Sequence, residues 1–296
     1  MTMTRKNSLR AWISAARPRT LPAAATPVLT ACALAYRDGV LRPAPAIICL
    51  IFAVSAQIVS NFANDYFDYA KGVDNKDRSG PRRAVAEGWI APKTMLRATA
   101  GLLAADMALG LSLVWYGGWA LIPVGIAIAL VAVAYSGGAY PLSHHGWGDL
   151  CVFVFFGIVP VGFAYYVQAL RWTMPATLCG AAMGLVNINI LVANNYRDRF
   201  TDAATGKRTT VVLFGEKFGR RFYLFNGIIA VLCCLYLPTE KTWTAFLPMI
   251  YLFFHVATWR EMVKTGSGKQ LTGILGKTAR NVLIFGLLLA IELVMN

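Results

Sequence analysis

APAIICLIFAVSAQIVSNFA occupies residues 44–63 and contains no charged side chain. A helix of about 20 residues is about 30 Å long, which matches the hydrocarbon core of a bilayer. Buried strands of soluble proteins stay apolar for only about 4–8 residues. The stretch therefore predicts a membrane-spanning helix.

Further apolar stretches repeat this pattern along the chain, giving nine predicted spans. The spans are residues 20–36, 44–63, 98–116, 119–135, 149–169, 174–193, 222–237, 243–259 and 281–295. Charged residues make up only 14% of the sequence, whereas a soluble domain carries about 25%. We therefore expect an all-α integral membrane protein that forms one domain over residues 1–296.

The basic residues predict how this domain is oriented. Of the 28 Lys and Arg residues, 24 lie before the first span or in alternate connections (64–97, 194–221 and 260–280). Positively charged connections remain in the cytoplasm. This predicts a multi-pass protein of the cell (inner) membrane with a cytoplasmic N-terminus and an external C-terminus. Because membrane topology explains most of the net charge of +14, we expect no nucleic-acid partner.

The scarce carboxylates are concentrated in the predicted cytoplasmic connections. Nine of the 14 Asp and Glu residues lie there, mostly in two clusters that each begin where a span ends. The first cluster reads NDYFD at residues 64–68 and continues as KGVD at 71–74. The second reads NNYRD at 194–198 and continues through Asp202 to GKR at 206–208.

The two clusters resemble each other. ANDYFD at residues 63–68 aligns with ANNYRD at 193–198, with four of the six positions identical. Both copies follow an even-numbered span. This predicts a weak internal repeat in parallel orientation, in which residues 44–116 resemble 174–259.

The spacing of the polar residues suggests a metal site. Asn64 and Asp68 are four positions apart, and Asp198 is four positions from both Asn194 and Asp202. Side chains with this spacing share one face of a helix. Carboxylate and amide oxygens suit Mg²⁺, which usually completes its coordination with water and phosphates. The alternative is a pair of solvated loops that bind no ligand.

These residues resemble the UbiA superfamily of intramembrane prenyltransferases, and within it the 1,4-dihydroxy-2-naphthoate prenyltransferase branch of menaquinone biosynthesis. The resemblance rests on RPRTLP at 17–22, the first cluster, YSGGAYP at 135–141 with GWGD at 146–149, and the second cluster. It implies nine helices around a central cavity, with cytoplasmic cap loops and a lipid-facing opening. It also implies transfer of a polyprenyl group from prenyl diphosphate to an aromatic acceptor, with loss of CO₂.

The resemblance assigns roles to individual residues. Metal binding and catalysis are implied for Asn64, Asp68, Asp198 and Asp202. Diphosphate binding is implied for Arg17, Lys71, Tyr135, Asn194 and Lys207. One position departs from the widest form of the first motif, because Gly72 stands where a further Asp is expected. Asp74 and Asp65 are therefore further candidate metal ligands.

The sequence leaves two interpretations open for four further polar residues and predicts solvent exposure for a fifth. His144 and His145 either bind an acidic acceptor or form a solvated pair. Asp149 either caps the fifth span or contacts substrate. Asp106, inside the third span, faces either a cavity or a neighbouring helix, and Glu292 is expected to reach water.

Other function classes fit the sequence less well. A CDP-alcohol phosphatidyltransferase has a different Asp-rich pattern, which is absent here. A divalent-cation transporter would place its acids near the middle of the membrane, whereas most acids here lie at the predicted cytoplasmic boundary. Within the UbiA superfamily, which the sequence resembles, the alternative acceptors are 4-hydroxybenzoate, homogentisate and the haem or chlorophyllide substrates.

Overall fold

The computed structural model describes residues 6–70, 83–136 and 140–296. All regular structure within these ranges is helical. The α-helices are α1 (Leu9–Ala16), α2 (Leu21–Arg37), α3 (Pro43–Ala70), α4 (Pro92–Ser112), α5 (Val114–Gly117), α6 (Leu121–Ser136), α7 (Gly148–Phe153), α8 (Val159–Ala169), α9 (Met174–Ala204), α10 (Thr210–Phe214), α11 (Glu216–Leu235), α12 (Ile250–Thr265) and α13 (Thr272–Met295). The all-α prediction is confirmed for the described residues.

Six helical segments in the described ranges are long and apolar enough to cross a membrane. They are Pro43–Ala70, Pro92–Gly117, Gly148–Ala169, Met174–Ala204, Glu216–Leu235 and Thr272–Met295. The other three predicted spans fall on α2, α6 and α12, which have 17, 16 and 16 residues. Each is shorter than the roughly 20 residues that span a bilayer comfortably.

Helix α9 lies at the centre of the described helices. It contacts α2, α7, α8, α10, α11 and α13. Of the 18 most apolar consecutive residues of α9, 67% are buried, whereas the corresponding share in the segment Pro92–Gly117 is 6%. The second carboxylate cluster is therefore carried by the helix with the most packing partners, whereas α4 presents apolar side chains such as Met107 and Leu111 outward.

Glycines allow α9 to approach the segment between α7 and α8 closely. That segment, Val154–Ile158, forms a π-helix. A Cβ atom added to Gly157 would lie 2.4 Å from the Cα of Gly184 on α9. No side chain fits at such a distance, so this contact requires glycine at position 157.

The C-terminal end of α13 corrects one sequence expectation. Glu292 was expected to reach water, but it is fully buried. Neither of its carboxylate oxygens has a hydrogen-bond partner in the described part of the chain. The rotation of α13 against its neighbours places this residue inside, and sequence periodicity does not fix that rotation.

Candidate functional site

The first cluster lies on the last turns of α3. Asp65 is buried, and its two carboxylate oxygens accept hydrogen bonds from the backbone N–H groups of Ala84 (3.0 Å) and Val85 (3.2 Å). Asp65 therefore fastens the turn that precedes α4 onto α3. These two hydrogen bonds show that Asp65, a candidate metal ligand, has a structural role.

Asp68 lies on the same stretch of α3 but is more open. Its side chain is 32% exposed, and Oδ2 is 2.7 Å from Nη2 of Arg83. Asn64 is half-buried one turn earlier. The sequence did not single out Arg83, which supplies positive charge next to a predicted metal ligand. Lys71 and Asp74 lie outside the described residues.

Arg17 joins the first cluster from the end of α1. It adopts a left-handed backbone conformation (φ 50°, ψ 69°) that ends α1 before the 3₁₀ turn Pro18–Thr20. Asn61 on α3 donates hydrogen bonds to the carbonyl of Ala16 (2.9 Å) and the hydroxyl of Thr20 (3.1 Å). These contacts hold Arg17 close enough to Asp65 for their charges to interact.

The second cluster occupies the last turns of α9. The carboxylate of Asp198 accepts two hydrogen bonds from the guanidinium of Arg197, from Nε at 2.7 Å and from Nη2 at 2.5 Å. Asp202 is mostly buried, and both of its oxygens lie 3.4 Å from Nζ of Lys207. Asn194 is half-buried on the same helix. Three predicted residues, Asp198, Asp202 and Lys207, are thus brought together.

A tight turn returns Lys207 to Asp202. The backbone N–H of Lys207 donates to the carbonyl of Asp202 (2.8 Å). Gly206 has a φ of 75°, a conformation that glycine adopts without steric cost. The short spacing from Asp202 through Gly206 to Lys207 is therefore explained by the geometry of the ion pair.

A second network anchors this end of α9, and sequence analysis did not identify it. Arg199 is buried and donates to the carbonyls of Tyr196 (2.6 Å) and Gly266 (2.7 Å) and to Glu216 (3.2 Å). Glu216 also accepts from the hydroxyl of Tyr196 (3.0 Å). These bonds tie α9 to the start of α11 and to the connection between α12 and α13.

A small cavity lies beside the second cluster. Its volume is about 30 Å³. It is lined by Tyr135, Ser143, Gly146, Gly148, Asp149, Leu191, Asn195, Lys207, Thr209 and Thr210. Tyr135, a predicted diphosphate ligand, thus shares a cavity with Lys207.

The loop that carries the histidines closes this region. The backbone N–H of Arg208 donates to the carbonyl of His144 (2.8 Å), and His144 lies near enough to Asp202 for electrostatic interaction. His145 stacks on Tyr140 with ring centroids 3.6 Å apart. His144 therefore approaches the second cluster, whereas the ring of His145 packs on Tyr140.

The described carboxylates do not form a metal centre by themselves. No three His, Cys, Asp or Glu side chains are grouped to hold a metal within the described ranges. Asp198 and Asp202 are nonetheless close enough to interact through their charges. A pair of carboxylates with nearby amides fits Mg²⁺, which binds through few protein ligands when phosphates supply the rest.

Comparison with known proteins fits this arrangement. Residues 24–270 match the UbiA prenyltransferase family. The chain belongs to this family. The UbiA match covers both clusters and the cavity, and membership identifies the chain as a prenyltransferase.

Several relatives of this UbiA protein carry the name 1,4-dihydroxy-2-naphthoate octaprenyltransferase. The Mycobacterium tuberculosis protein is 39% identical, with 76% of each chain covered. The Haemophilus influenzae protein is 33% identical, with 81% of each chain covered. The Escherichia coli protein is 32% identical over 100% of this chain and 99% of its own.

Solved structures share the UbiA fold. A digeranylgeranylglyceryl phosphate synthase superposes with a TM-score of 0.63 at 17% identity, covering 97% of this chain and 99% of its own. A UbiA homologue from Archaeoglobus fulgidus, described as bound to GPP and Mg²⁺, gives 0.63 at 12% identity, covering 95% and 99%. At these identities the likeness concerns the fold alone.

Proposed function

We propose that this UbiA protein transfers a polyprenyl group from prenyl diphosphate to 1,4-dihydroxy-2-naphthoate, releasing CO₂ and giving demethylmenaquinone. The observation that carries the proposal is the end of α9, where Asp198 and Asp202 lie on one face and Lys207 folds back onto Asp202. The naphthoate-specific names of relatives at 32–39% identity support the choice of acceptor.

The proposed metal ligands are Asn64, Asp68, Asp198 and Asp202. Helix α2 packs against both α3 and α9, so the helices that carry the two pairs share a neighbour. When bound, Mg²⁺ would supply positive charge that stabilises the leaving diphosphate.

The basic residues of both clusters complete the proposed diphosphate site. Arg17 and Lys207 each lie beside a carboxylate of one cluster, where a phosphate group competes with that carboxylate for the positive charge. Tyr135 and Asn194 would add hydrogen bonds, and Lys71 would add a further cation. Charge-assisted hydrogen bonds of this kind are the stronger ones in proteins.

The proposed reaction replaces the carboxylate of the acceptor. The allylic C–O bond of the donor breaks, and diphosphate leaves with the electron pair. The ring carbon that bears the carboxylate attacks the allylic cation, and CO₂ then leaves without its bonding electrons, which restore the aromatic ring. The two hydroxyls make the ring electron-rich, so the protein has mainly to ionise the donor and hold the ring close.

We also propose that α2, α6 and α12 cross the inner membrane, which gives nine spans with the N-terminus cytoplasmic and the C-terminus external. The 3₁₀ segment Thr244–Met249 runs directly into α12, and together they reach roughly 36 Å. A reporter fused after Asn296 should be external, and one inserted at Thr205 should be cytoplasmic.

The experiment that tests the function is incubation of purified protein with one labelled prenyl diphosphate and a panel of acceptors. We expect rapid prenylation of 1,4-dihydroxy-2-naphthoate and slow reaction of 4-hydroxybenzoate and homogentisate. Equal or faster turnover of 4-hydroxybenzoate, with its carboxylate retained, would contradict the acceptor assignment.

A further inference from the structure

Asp149 presents an unsatisfied carboxylate oxygen beside the second cluster. The residue is only 6% exposed, and Oδ2 accepts a hydrogen bond from the hydroxyl of Thr210 (2.6 Å). Oδ1 is buried and has no hydrogen-bond partner in the described ranges. Burying such an oxygen without a partner is costly, so a ligand that donates a hydrogen bond here would stabilise the protein.

Helix capping does not account for Asp149. Helix α7 begins at Gly148 after Trp147, and no side chain caps its first turn. Asp149 is the second residue of α7, in its first turn, and it lines the cavity of about 30 Å³. That volume accommodates one or two groups of the size of water.

The cavity is aligned with the proposed diphosphate site. Leu191 and Asn195 form its wall on α9, and Asp198 and Asp202 follow Asn195 by three and seven positions. Residues with these separations share one helix face. A group in the cavity therefore lies roughly 5–10 Å along the helix from the proposed metal ligands.

Lys207 and Tyr135 in the cavity wall suit a phosphate oxygen, whereas the unpartnered oxygen of Asp149 selects a hydrogen-bond donor. A carboxylate oxygen without a partner repels a phosphate or carboxylate and attracts a hydroxyl. The cavity is too small for an aromatic ring, so only a substituent of the ring enters it.

We propose that Asp149 binds a phenolic hydroxyl of the acceptor through Oδ1, an inference that rests on the proposed function. This is the 1-hydroxyl, which is ortho to the ring carbon that bears the carboxylate. As that carbon bonds to the allylic cation, the 1-hydroxyl becomes a carbonyl and its proton passes to Asp149. Loss of CO₂ returns an electron pair to the ring, and the carbonyl oxygen takes the proton back. The transfer thus requires no net proton uptake or release.

Affinity measurements on Asp149→Asn test this inference. The ligands are 1,4-dihydroxy-2-naphthoate and its two analogues that each lack one hydroxyl, 1-hydroxy-2-naphthoate and 4-hydroxy-2-naphthoate, titrated without donor. For wild type, 4-hydroxy-2-naphthoate, which lacks the 1-hydroxyl, should bind at least about tenfold more weakly than the dihydroxy acid, as for loss of a hydrogen bond to a charged group. In Asp149→Asn that difference should vanish, while affinity for prenyl diphosphate with Mg²⁺ stays unchanged.

Two further variants exclude a general effect on folding. Asp106→Asn makes the same change at a buried aspartate that bonds Ser55 on α3, and it should leave the affinity for all three ligands unchanged. Thr210→Val keeps the carboxylate of Asp149 but removes the hydroxyl that orients it. It should therefore lower the affinity for the dihydroxy acid by a smaller factor than Asp149→Asn does.

Three different results would contradict the inference about Asp149. If removal of the ligand hydroxyl and Asp149→Asn weaken binding independently, with losses that multiply, Asp149 does not contact that hydroxyl. Unaltered affinity in Asp149→Asn overturns the inference as well. Wild-type protein that binds prenyl diphosphate but no hydroxynaphthoate contradicts the proposed function, and this assignment with it, before any variant is compared.

Discussion

The ammonium group of Lys207 lies 3.4 Å from both carboxylate oxygens of Asp202. The lysine side chain is 29% exposed and the aspartate 12%. The pair therefore lies at the boundary between the packed helices and the protein surface, where an incoming anion reaches the lysine. In the proposed reaction, diphosphate and its metal would separate these two charges.

Asp202→Asn should lower kcat at least roughly 100-fold, because the neutral amide removes a charge that would hold the metal. Lys207→Gln should chiefly raise the KM for prenyl diphosphate, since it removes a cation but leaves the carboxylates. Steady-state kinetics over a range of Mg²⁺ concentrations checks both. Full activity of Asp202→Asn would remove this residue from the site.

Asp65 and Asp68, the two aspartates of the first cluster that the structure describes, should differ in role, because Asp65 supports stability and Asp68 supports activity. Asp65→Asn should lower the free energy of unfolding by about 1–3 kcal/mol, because the bonds to Ala84 and Val85 lose the carboxylate charge. Asp68→Asn should abolish turnover with little change in thermal stability. Melting curves in detergent, with activity assays below the melting temperature, distinguish these outcomes. The reverse pattern would make Asp65 the ligand and Asp68 the structural residue.

The anchor of α9 should matter for stability. Arg199→Leu should lower the free energy of unfolding by about 1–3 kcal/mol, because it leaves Glu216 and the carbonyl of Gly266 without this donor. Arg221→Leu, at an exposed position of α11, is the matched control and should change stability little. Equal melting temperatures for the two variants would show that the network contributes nothing measurable.

The glycine contact between the π-helical segment and α9 predicts a steric effect. Gly157→Ala should reduce stability and expression, because the new methyl group meets backbone atoms of Gly180 and Gly184 within about 2.6 Å. Gly101→Ala on α4 has nothing within 4 Å of the added atom and should be tolerated. Thermal melting of both proteins tests this, and an unaffected Gly157→Ala would mean that the helices separate at little cost.

Patterns that act within one helix or one turn could be predicted from the sequence. The six long apolar segments follow from hydropathy. The approach of Lys207 to Asp202 follows from a helix end and a glycine turn. The shared face of Asp198 and Asp202 follows from helical periodicity. Each of these depends on residues only a few positions apart.

Contacts between distant segments could not be predicted in the same way. The pairing of Asp68 with Arg83 joins residues 15 positions apart. The binding of Asp149 to Thr210 joins residues 61 positions apart, and the burial of Glu292 depends on helix rotation. Tertiary packing decides all three, and a single sequence does not display it.

Carboxyl-labelled 1,4-dihydroxy-2-naphthoate tests the central claim most directly. Purified protein would be incubated with this acceptor, prenyl diphosphate and Mg²⁺, and labelled CO₂ would be trapped while the prenylated product is quantified. The account predicts one labelled CO₂ for each prenylated product, and neither product nor CO₂ from Asp202→Asn. A prenylated product that keeps the label, or no prenylation of this acceptor by wild-type protein, would contradict it.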